Sequence, residues 1–176
     1  MTISLVGVDR SSALEALHKE HHVSLVRSAA WILDDQELAE ELVQESYIRL
    51  AGVWDRLDDR DAALSYLRKT VFNLSHSKIR RLIVGRSKHR AVQARPVSPD
   101  VEQTPLMDSE LAEAIRQLSV RQRECIVLRY EHDLSIAQIA EVLGIAEGSA
   151  KSHIHRALGR LSALVTPGAY LEGNQT

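Results

Sequence analysis

Apolar residues recur at helical spacing through most of this chain. Three long stretches, at about residues 11–33, 35–57 and 62–82, each place their apolar residues on one face, which predicts three amphipathic helices. Asp34 or Asp35 is suited to cap the second helix. Three such helices can form one small bundle. The inward residues expected are Leu14, Leu17, Leu25, Ala29 and Ile32, then Ala39, Leu42, Ser46, Leu50, Val53 and Leu57, then Leu64, Leu67, Val71, Leu74 and Leu82.

The helical periodicity stops between residues 85 and 107. Three of the four prolines fall there, at Pro96, Pro99 and Pro105, among serine, glutamine and threonine. This composition predicts a flexible linker between two small helical domains. The expected boundaries are a first domain at 10–84, the linker at 85–107, a second domain at 108–165 and a tail at 166–176.

The second domain carries a pattern typical of a helix-turn-helix at residues 134–161. Ser135 and Gln138 form a capping box, and Gly144 follows the last periodic residue of the first helix. The second helix buries one stripe, consisting of Ala150, Ile154, Ala157 and Leu161. Polar residues off that stripe suit phosphates and base edges, and they are Ser149, Lys151, Ser152, His155, Arg156 and Arg160. Upstream, Ser119 and Gln122 make another capping box, opening a helix through Tyr130.

Composition supports an all-α protein. A hydrophobic fraction of 44% is enough for packed cores, and no alternating run of β-branched residues predicts a strand. The single cysteine, Cys125, lies in an apolar run and is expected to be buried, so the chain fits a reducing cytoplasm. Neither a signal peptide nor an apolar run of about 20 residues is present, so no membrane insertion is expected.

Charge is distributed unevenly along the chain, although the net charge is only −2. Residues 28–48 hold six acidic side chains and no lysine or arginine, whereas residues 62–99 hold nine basic side chains and no acid. An acidic and a basic surface on one chain predict two different partners, one basic and one a polyanion.

Several strings resemble one protein family. DDQELAEELVQESYIRL resembles conserved region 2 of bacterial RNA polymerase sigma factors, and TVFNLSHSKIRR is similar to its NLxxDxxRR string. LSVRQRECIVLRYEHDLSIAQIAEVLGIAEGSAKSHIHRAL closely resembles region 4. The resemblance covers about residues 10–164. With two domains and a short linker, it points to the extracytoplasmic-function (ECF) class, and the residues around helix three resemble the actinobacterial sigma-E-like branch.

The resemblance implies a function, namely binding core RNA polymerase and directing promoter-specific initiation. In the family, region 2 docks on the clamp helices of the polymerase β′ subunit. The acidic charge of the second helix agrees, because an acidic helix suits a basic partner. The polymerase-binding residues expected from the match are Glu40, Glu41, Leu42, Gln44 and Glu45.

The resemblance also assigns two promoter-binding sets. In the family, helix three melts the −10 element and captures single-stranded bases, which here implicates Tyr66, Lys69, Asn73, His76, Arg80 and Arg81. Asn73 matches the family's asparagine. In the family, the recognition helix of region 4 binds the −35 element as duplex DNA, which here implicates Glu147, Gly148, Ser149, Lys151, Ser152, His155, Arg156 and Arg160. The family's other partners are the polymerase β flap and, often, an anti-sigma factor.

Three positions depart from the family pattern. Ala146 stands where a capping serine or threonine is usual, so the recognition helix starts without that hydrogen bond. His153 replaces a usual arginine, which lowers the charge there near neutral pH. The aromatic pair near the start of helix three is reduced to Ala63 and Tyr66, which leaves the −10 sequence preference undetermined.

Two other classes of function compete with this one. A stand-alone regulator with a LuxR-type helix-turn-helix would explain the second domain, but such a regulator needs neither the acidic nor the basic helix. An enzyme would need a site, and the best candidate is a metal site on the first helix, where His21 and His22 follow His18 by three and four positions. No phosphate loop or nucleophile motif is present, so neither a catalytic residue nor a cofactor is expected.

Overall fold

The computed structural model describes residues 10–57, 59–88 and 110–164. These residues form seven α-helices and one short 3-10 helix at Trp54–Arg56, with no β-strand among them. The all-α prediction is therefore confirmed. The helices are α1 (Arg10–Leu33), α2 (Gln36–Val53), α3 (Arg60–Lys88), α4 (Glu110–Arg116), α5 (Val120–Tyr130), α6 (Ile136–Leu143) and α7 (Glu147–Leu164).

The chain divides into two units. The first contains α1, α2 and α3, and the second contains α4, α5, α7 and most of α6. The predicted tail at 166–176 lies outside the described residues, as does the predicted linker beyond Lys88. Within the described part of the chain, no helix combines the length and apolar character needed to cross a membrane.

The turn between α1 and α2 is set by two consecutive aspartates. Asp34 adopts a left-handed backbone with φ of 55°, a conformation that aspartate tolerates better than most residues, and its N–H donates to the Ala30 carbonyl at 2.8 Å. Asp35 is extended, and its carboxylate accepts a hydrogen bond from the Leu38 N–H at 2.9 Å. The predicted cap is thus confirmed at Asp35, and the two helices pack as an antiparallel pair.

The core of the first unit is a layer of large apolar side chains from all three helices. Its fully buried members include Leu17, Leu25, Ile32, Leu50, Leu67, Val71 and Phe72. The prediction that Leu82 of α3 faces inward was wrong, because this residue is 43% exposed. The helix instead buries Ala63 and Ser75, whose small side chains allow neighbouring helices to approach closely.

Two boundaries differ from the predicted ones. The second helix ends at Val53 and continues as the 3-10 helix to Arg56. The third begins earlier than expected, at Arg60, because the Asp59 carboxylate accepts from the Ala62 N–H at 2.8 Å. It then continues to Lys88, inside the predicted linker. A single glycine such as Gly85 costs a helix only about 1 kcal/mol, too little to end it.

The core of the second unit joins α5 to α7. Leu118, Ile126 and Ala157 are buried together, and Ile154 and Leu161 pack against them. The predicted capping box at the start of α5 is confirmed in both directions, between Ser119 and Gln122. Cys125 is buried as expected, and burial raises the pKa of its thiol to about 12.

The helix-turn-helix has the predicted local structure. Ser135 and Gln138 form a second capping box, with hydrogen bonds of 2.9 and 3.3 Å. Gly144 has φ of 63°, and the following Ile145 N–H donates to the Ala140 carbonyl at 3.0 Å, which closes the end of α6. The start of α7 is supported by backbone bonds alone, since Ala146 has no side-chain acceptor for the free N–H groups.

We expect Ala146→Ser to stabilise the second unit by about 1 kcal/mol, because a serine at this position can accept from a free N–H of the first turn of α7. Urea denaturation, with helix content as the signal, measures the change. Ala137→Ser is the control, since that residue is also exposed but lies inside the first turn of α6. Equal effects of the two substitutions would contradict the capping explanation.

Candidate functional site

The exposed face of α2 carries most of the predicted polymerase-binding residues. Glu41 and Gln44 are exposed, and Glu40 and Glu45 are half-buried; we call these four residues the acidic surface. Leu42 differs from them, because it is only 6% exposed and lies in the core. The structure therefore brings four of the five predicted side chains to the surface and places Leu42 beneath them.

An apolar residue extends the acidic surface by one turn. Ile48 is 72% exposed and lies four positions after Gln44, on the same stripe of α2. The sequence analysis did not identify Ile48 as a site residue. Its helical spacing from Glu41 and Gln44 could have placed it on the same face. A large exposed apolar residue beside charged ones is a feature of protein-binding surfaces.

The acids of this surface differ in their local partners. Glu40 Oε1 lies 2.8 Å from Nε2 of His22 on α1. Glu45 Oε1 accepts from Arg49 Nη2 at 2.5 Å, one helical turn away. Within the described residues, Glu41 forms no ion pair, so its carboxylate is the one most available to a basic partner.

The predicted −10 residues lie along α3. Lys69, Asn73 and Arg80 are exposed on one stripe of the helix, and His76, on the same stripe, is half-buried. Arg81 is exposed next to Arg80, whereas Tyr66 is half-buried. The stripe places an amide between cationic groups, an arrangement suited to base edges flanked by phosphates.

The predicted −35 residues lie on α7. All eight are exposed, while Ala150 and Ala157 on the opposite side are completely buried. The helix therefore offers one continuous polar face beginning at its first turn. That face contains Glu147, Gly148, Ser149, Lys151, Ser152, His155, Arg156 and Arg160.

His153 contributes little charge to this helix at neutral pH. Burial lowers its pKa from the ordinary value of 6.5, and the nearby positive charges of Arg156 and Arg121 lower it further. The imidazole is consequently neutral at pH 7, as the comparison with the family's usual arginine suggested.

The three histidines of α1 are not arranged as a metal site. His18 and His22 stack with ring centroids 4.1 Å apart, while His21 approaches Glu20, with Nε2 to Oε1 at 3.4 Å. Across residues 10–57, 59–88 and 110–164, no three histidine, cysteine or acidic side chains are placed to hold a metal ion.

Family models match both units of the chain. The model described as "Sigma-70 region 2" matches residues 17–82, and "Sigma-70, region 4" matches residues 108–161. The RNA polymerase sigma-E factor of Streptomyces coelicolor is 30% identical over 156 residues, covering 84% of this chain and 85% of the relative. The ECF RNA polymerase sigma factor SigL of Mycobacterium tuberculosis is 30% identical over 164 residues, covering 90% and 92%.

The chain belongs to the ECF sigma factors. It is a subunit that binds core RNA polymerase and promoter DNA and directs promoter-specific transcription initiation. A stand-alone LuxR-type regulator is not supported, because a family model for region 2 matches residues 17–82, which a LuxR-type helix-turn-helix would not explain.

Two solved structures, one of them of a sigma factor, have the same fold. The sigma factor RpoE from Bartonella quintana, in complex with the anti-sigma factor NepR, superposes with a TM-score of 0.69 at 24% identity, covering 85% of this sigma factor and 96% of that chain. CnrH, in complex with the cytosolic domain of CnrY, gives a TM-score of 0.62 at 22% identity, covering 88% of each chain.

Proposed function

We propose that this sigma factor divides initiation among three helical surfaces. The acidic surface of α2 binds the clamp helices of the β′ subunit, α3 melts and captures the −10 element, and α7 binds the −35 element as duplex DNA. The observation that carries the proposal is that all eight residues predicted to bind the −35 element are exposed on α7, the second helix of the helix-turn-helix.

Charge supports the assignment of α2 to the polymerase. A surface with three carboxylates and no basic residue other than the paired Arg49 repels DNA and attracts a basic protein surface. The exposed Ile48 adds an apolar contact that can be buried in the complex. Leu42 supports this surface from the core rather than by direct contact.

The stripe on α3 supports a role in promoter opening. Unstacking a base costs a few kcal/mol, which binding groups on the protein must offset. Lys69 and Arg80 can bind phosphates on both sides of a captured base, and the Asn73 amide can donate to and accept from its edge. The carboxyl-terminal part of α3 continues this basic character.

Two further partners follow from the family. We propose that the second unit also contacts the polymerase β flap, and that an anti-sigma factor controls this chain. The second suggestion is supported by the similar structure of the sigma factor RpoE, which was solved in complex with the anti-sigma factor NepR. The chain itself would catalyse no reaction and would act in the cytoplasm, on the nucleoid.

Run-off transcription tests the proposal as a whole. Purified bacterial core polymerase is assayed with and without the full chain on a library of genomic promoter fragments. New transcripts that depend on the chain, and whose start sites share two upstream elements, are expected. If the chain co-purified with core polymerase but gave no shared upstream element, the assignment of α3 and α7 would be wrong.

Glu41→Lys should weaken binding to core polymerase by about 2 kcal/mol or more, because it replaces an exposed partner of a basic surface with a like charge. The affinity of labelled chain for core enzyme gives the measurement. Glu15→Lys is the matched control, since it makes the same charge reversal on an exposed site of α1. Equal affinity of the wild-type and Glu41→Lys chains would exclude the acidic surface from the interface.

Arg156→Ala should weaken promoter binding by the holoenzyme by about 1–3 kcal/mol and leave core binding unchanged. If Arg156 contacts a phosphate, the slope of log affinity against log salt falls by about 1; if it contacts guanine, preference at one −35 position relaxes instead. Lys19→Ala, which removes a positive charge from the exposed side of α1, is the control. The same loss with both variants would refute a specific contact.

Asn73→Ala should slow promoter opening and reduce preference at one −10 position, by about 1–3 kcal/mol, because the amide can no longer bind a base edge. Permanganate reactivity of unpaired thymines in the holoenzyme complex measures opening. Ser65→Ala, earlier on α3, is the control. Unchanged opening together with unchanged −10 preference would remove Asn73 from the site.

A further inference from the structure

A cluster of four polar and aromatic side chains joins α1 to the acidic surface. It consists of His18 and His22 on α1 and Glu40 and Tyr47 on α2, and we call it the histidine–glutamate cluster. The Nε2 atom of His22 lies 2.8 Å from Glu40 Oε1. The His18 and His22 rings are stacked, with an interplanar angle of 17°. Glu40, a member of the acidic surface, is thus tied to the neighbouring helix.

The hydrogen bonding of His22 specifies one tautomer. Its Nδ1 atom is buried and has no hydrogen-bond partner within the described residues. A carboxylate can only accept, so the bond to Glu40 requires the proton on Nε2. The neutral ring with Nε2–H satisfies this bond without placing a second N–H where it would have no acceptor. In that state His22 holds the carboxylate and leaves its negative charge intact.

Tyr47 fixes the rings from the α2 side. Its ring centroid lies 5.2 Å from that of His18 and 6.1 Å from that of His22, and its hydroxyl donates to the Leu17 carbonyl at 3.2 Å. Burial raises the pKa of Tyr47 to about 12, so this hydroxyl remains protonated and keeps its bond at any physiological pH. The histidine that holds Glu40 is therefore itself held by packing and by an interhelical hydrogen bond.

Two cations near the start of α3, Arg60 and Arg68, act on groups other than Glu40. Arg60 pairs with Glu20, and both Arg60 and Arg68 act on His21, whose pKa is lowered mainly by its burial. Glu40 consequently has His22 as its ion-pair or hydrogen-bond partner among the described residues. Its side chain is still 41% exposed, compared with 16% for His22, so Oε2 can reach an incoming donor.

We propose that His22 is a positioning residue for polymerase binding. Its Nε2–H holds one oxygen of Glu40, so that the other oxygen is already oriented toward a cation of the polymerase. An unrestrained glutamate would lose its rotamer freedom on binding, and prior ordering removes that cost. The inference rests on the proposed role of the acidic surface in binding the polymerase.

A double-mutant cycle tests the proposal in the full chain. His22→Phe keeps an aromatic ring in the stack but removes the donor, His22→Gln restores an N–H donor, and Glu40→Ala removes the carboxylate together with its acceptor oxygens. We expect His22→Phe to weaken binding to core polymerase about threefold to tenfold, as expected for one side chain that must be ordered on binding. His22→Gln should recover most of the affinity, and His22→Phe should have no further effect in Glu40→Ala.

Two outcomes overturn the positioning role. Either His22→Phe leaves affinity unchanged, or it weakens binding equally in the presence and absence of the Glu40 carboxylate. If Glu41→Lys abolishes binding in the same assay, the proposed function survives and only the role of His22 fails. If Glu41→Lys has no effect, the acidic surface itself is not the interface.

Nuclear magnetic resonance of the wild-type chain provides a test that needs no stable variant. Long-range proton–nitrogen spectra of the histidine rings distinguish a proton on Nε2 from one on Nδ1. We expect the Nε2–H tautomer for His22. For the variants of the binding assay, thermal unfolding distinguishes a loss of stability from a loss of binding. An Nε2 atom of His22 that bears no proton would overturn the proposal, because the ring then cannot donate to Glu40.

Discussion

The burial of small residues on α7 is the constraint on which the predicted DNA-binding face depends. Ala150 and Ala157 are completely buried, and Ala157 packs with Leu118 and Ile126. A helix that buries one stripe must turn the opposite side outward, and here that side carries every residue expected to contact the −35 element. Larger residues at the two alanines would displace the helix and change the direction of the whole face. The direction of the predicted DNA-binding face thus depends on residues that are themselves buried.

The first unit presents opposite charges on neighbouring helices. The acids of α2 and the bases of α3 are kept on separate exposed faces by a shared apolar core. Polar contacts between helices, such as those from Glu20 to Arg60 and from His22 to Glu40, orient particular side chains at the edges of that core. Exposed ion pairs contribute little to stability, so their main effect is on geometry.

Local signals were the most predictable part of the fold. The caps at Asp35, Ser119 and Ser135 and the left-handed Gly144 were each expected from a few neighbouring residues, and each forms as expected. These features depend on bonds between residues three to five positions apart. The ends of α2 and α3 were less predictable, because fading periodicity and a single glycine do not themselves break backbone hydrogen bonds.

The helical class, the caps, the separation of acidic from basic segments and the polar face of α7 could all be predicted from the sequence, because they follow from spacing along a helix. The burial of Leu42 beneath the acidic surface and the exposure of Ile48 beside it could not be predicted in this way, because they depend on how the three helices pack. Only the tertiary structure brought His22 to Glu40, 18 positions away. The reason is physical: helical periodicity shows which residues share a face, but packing against other helices decides which face is buried and which side chains meet across it.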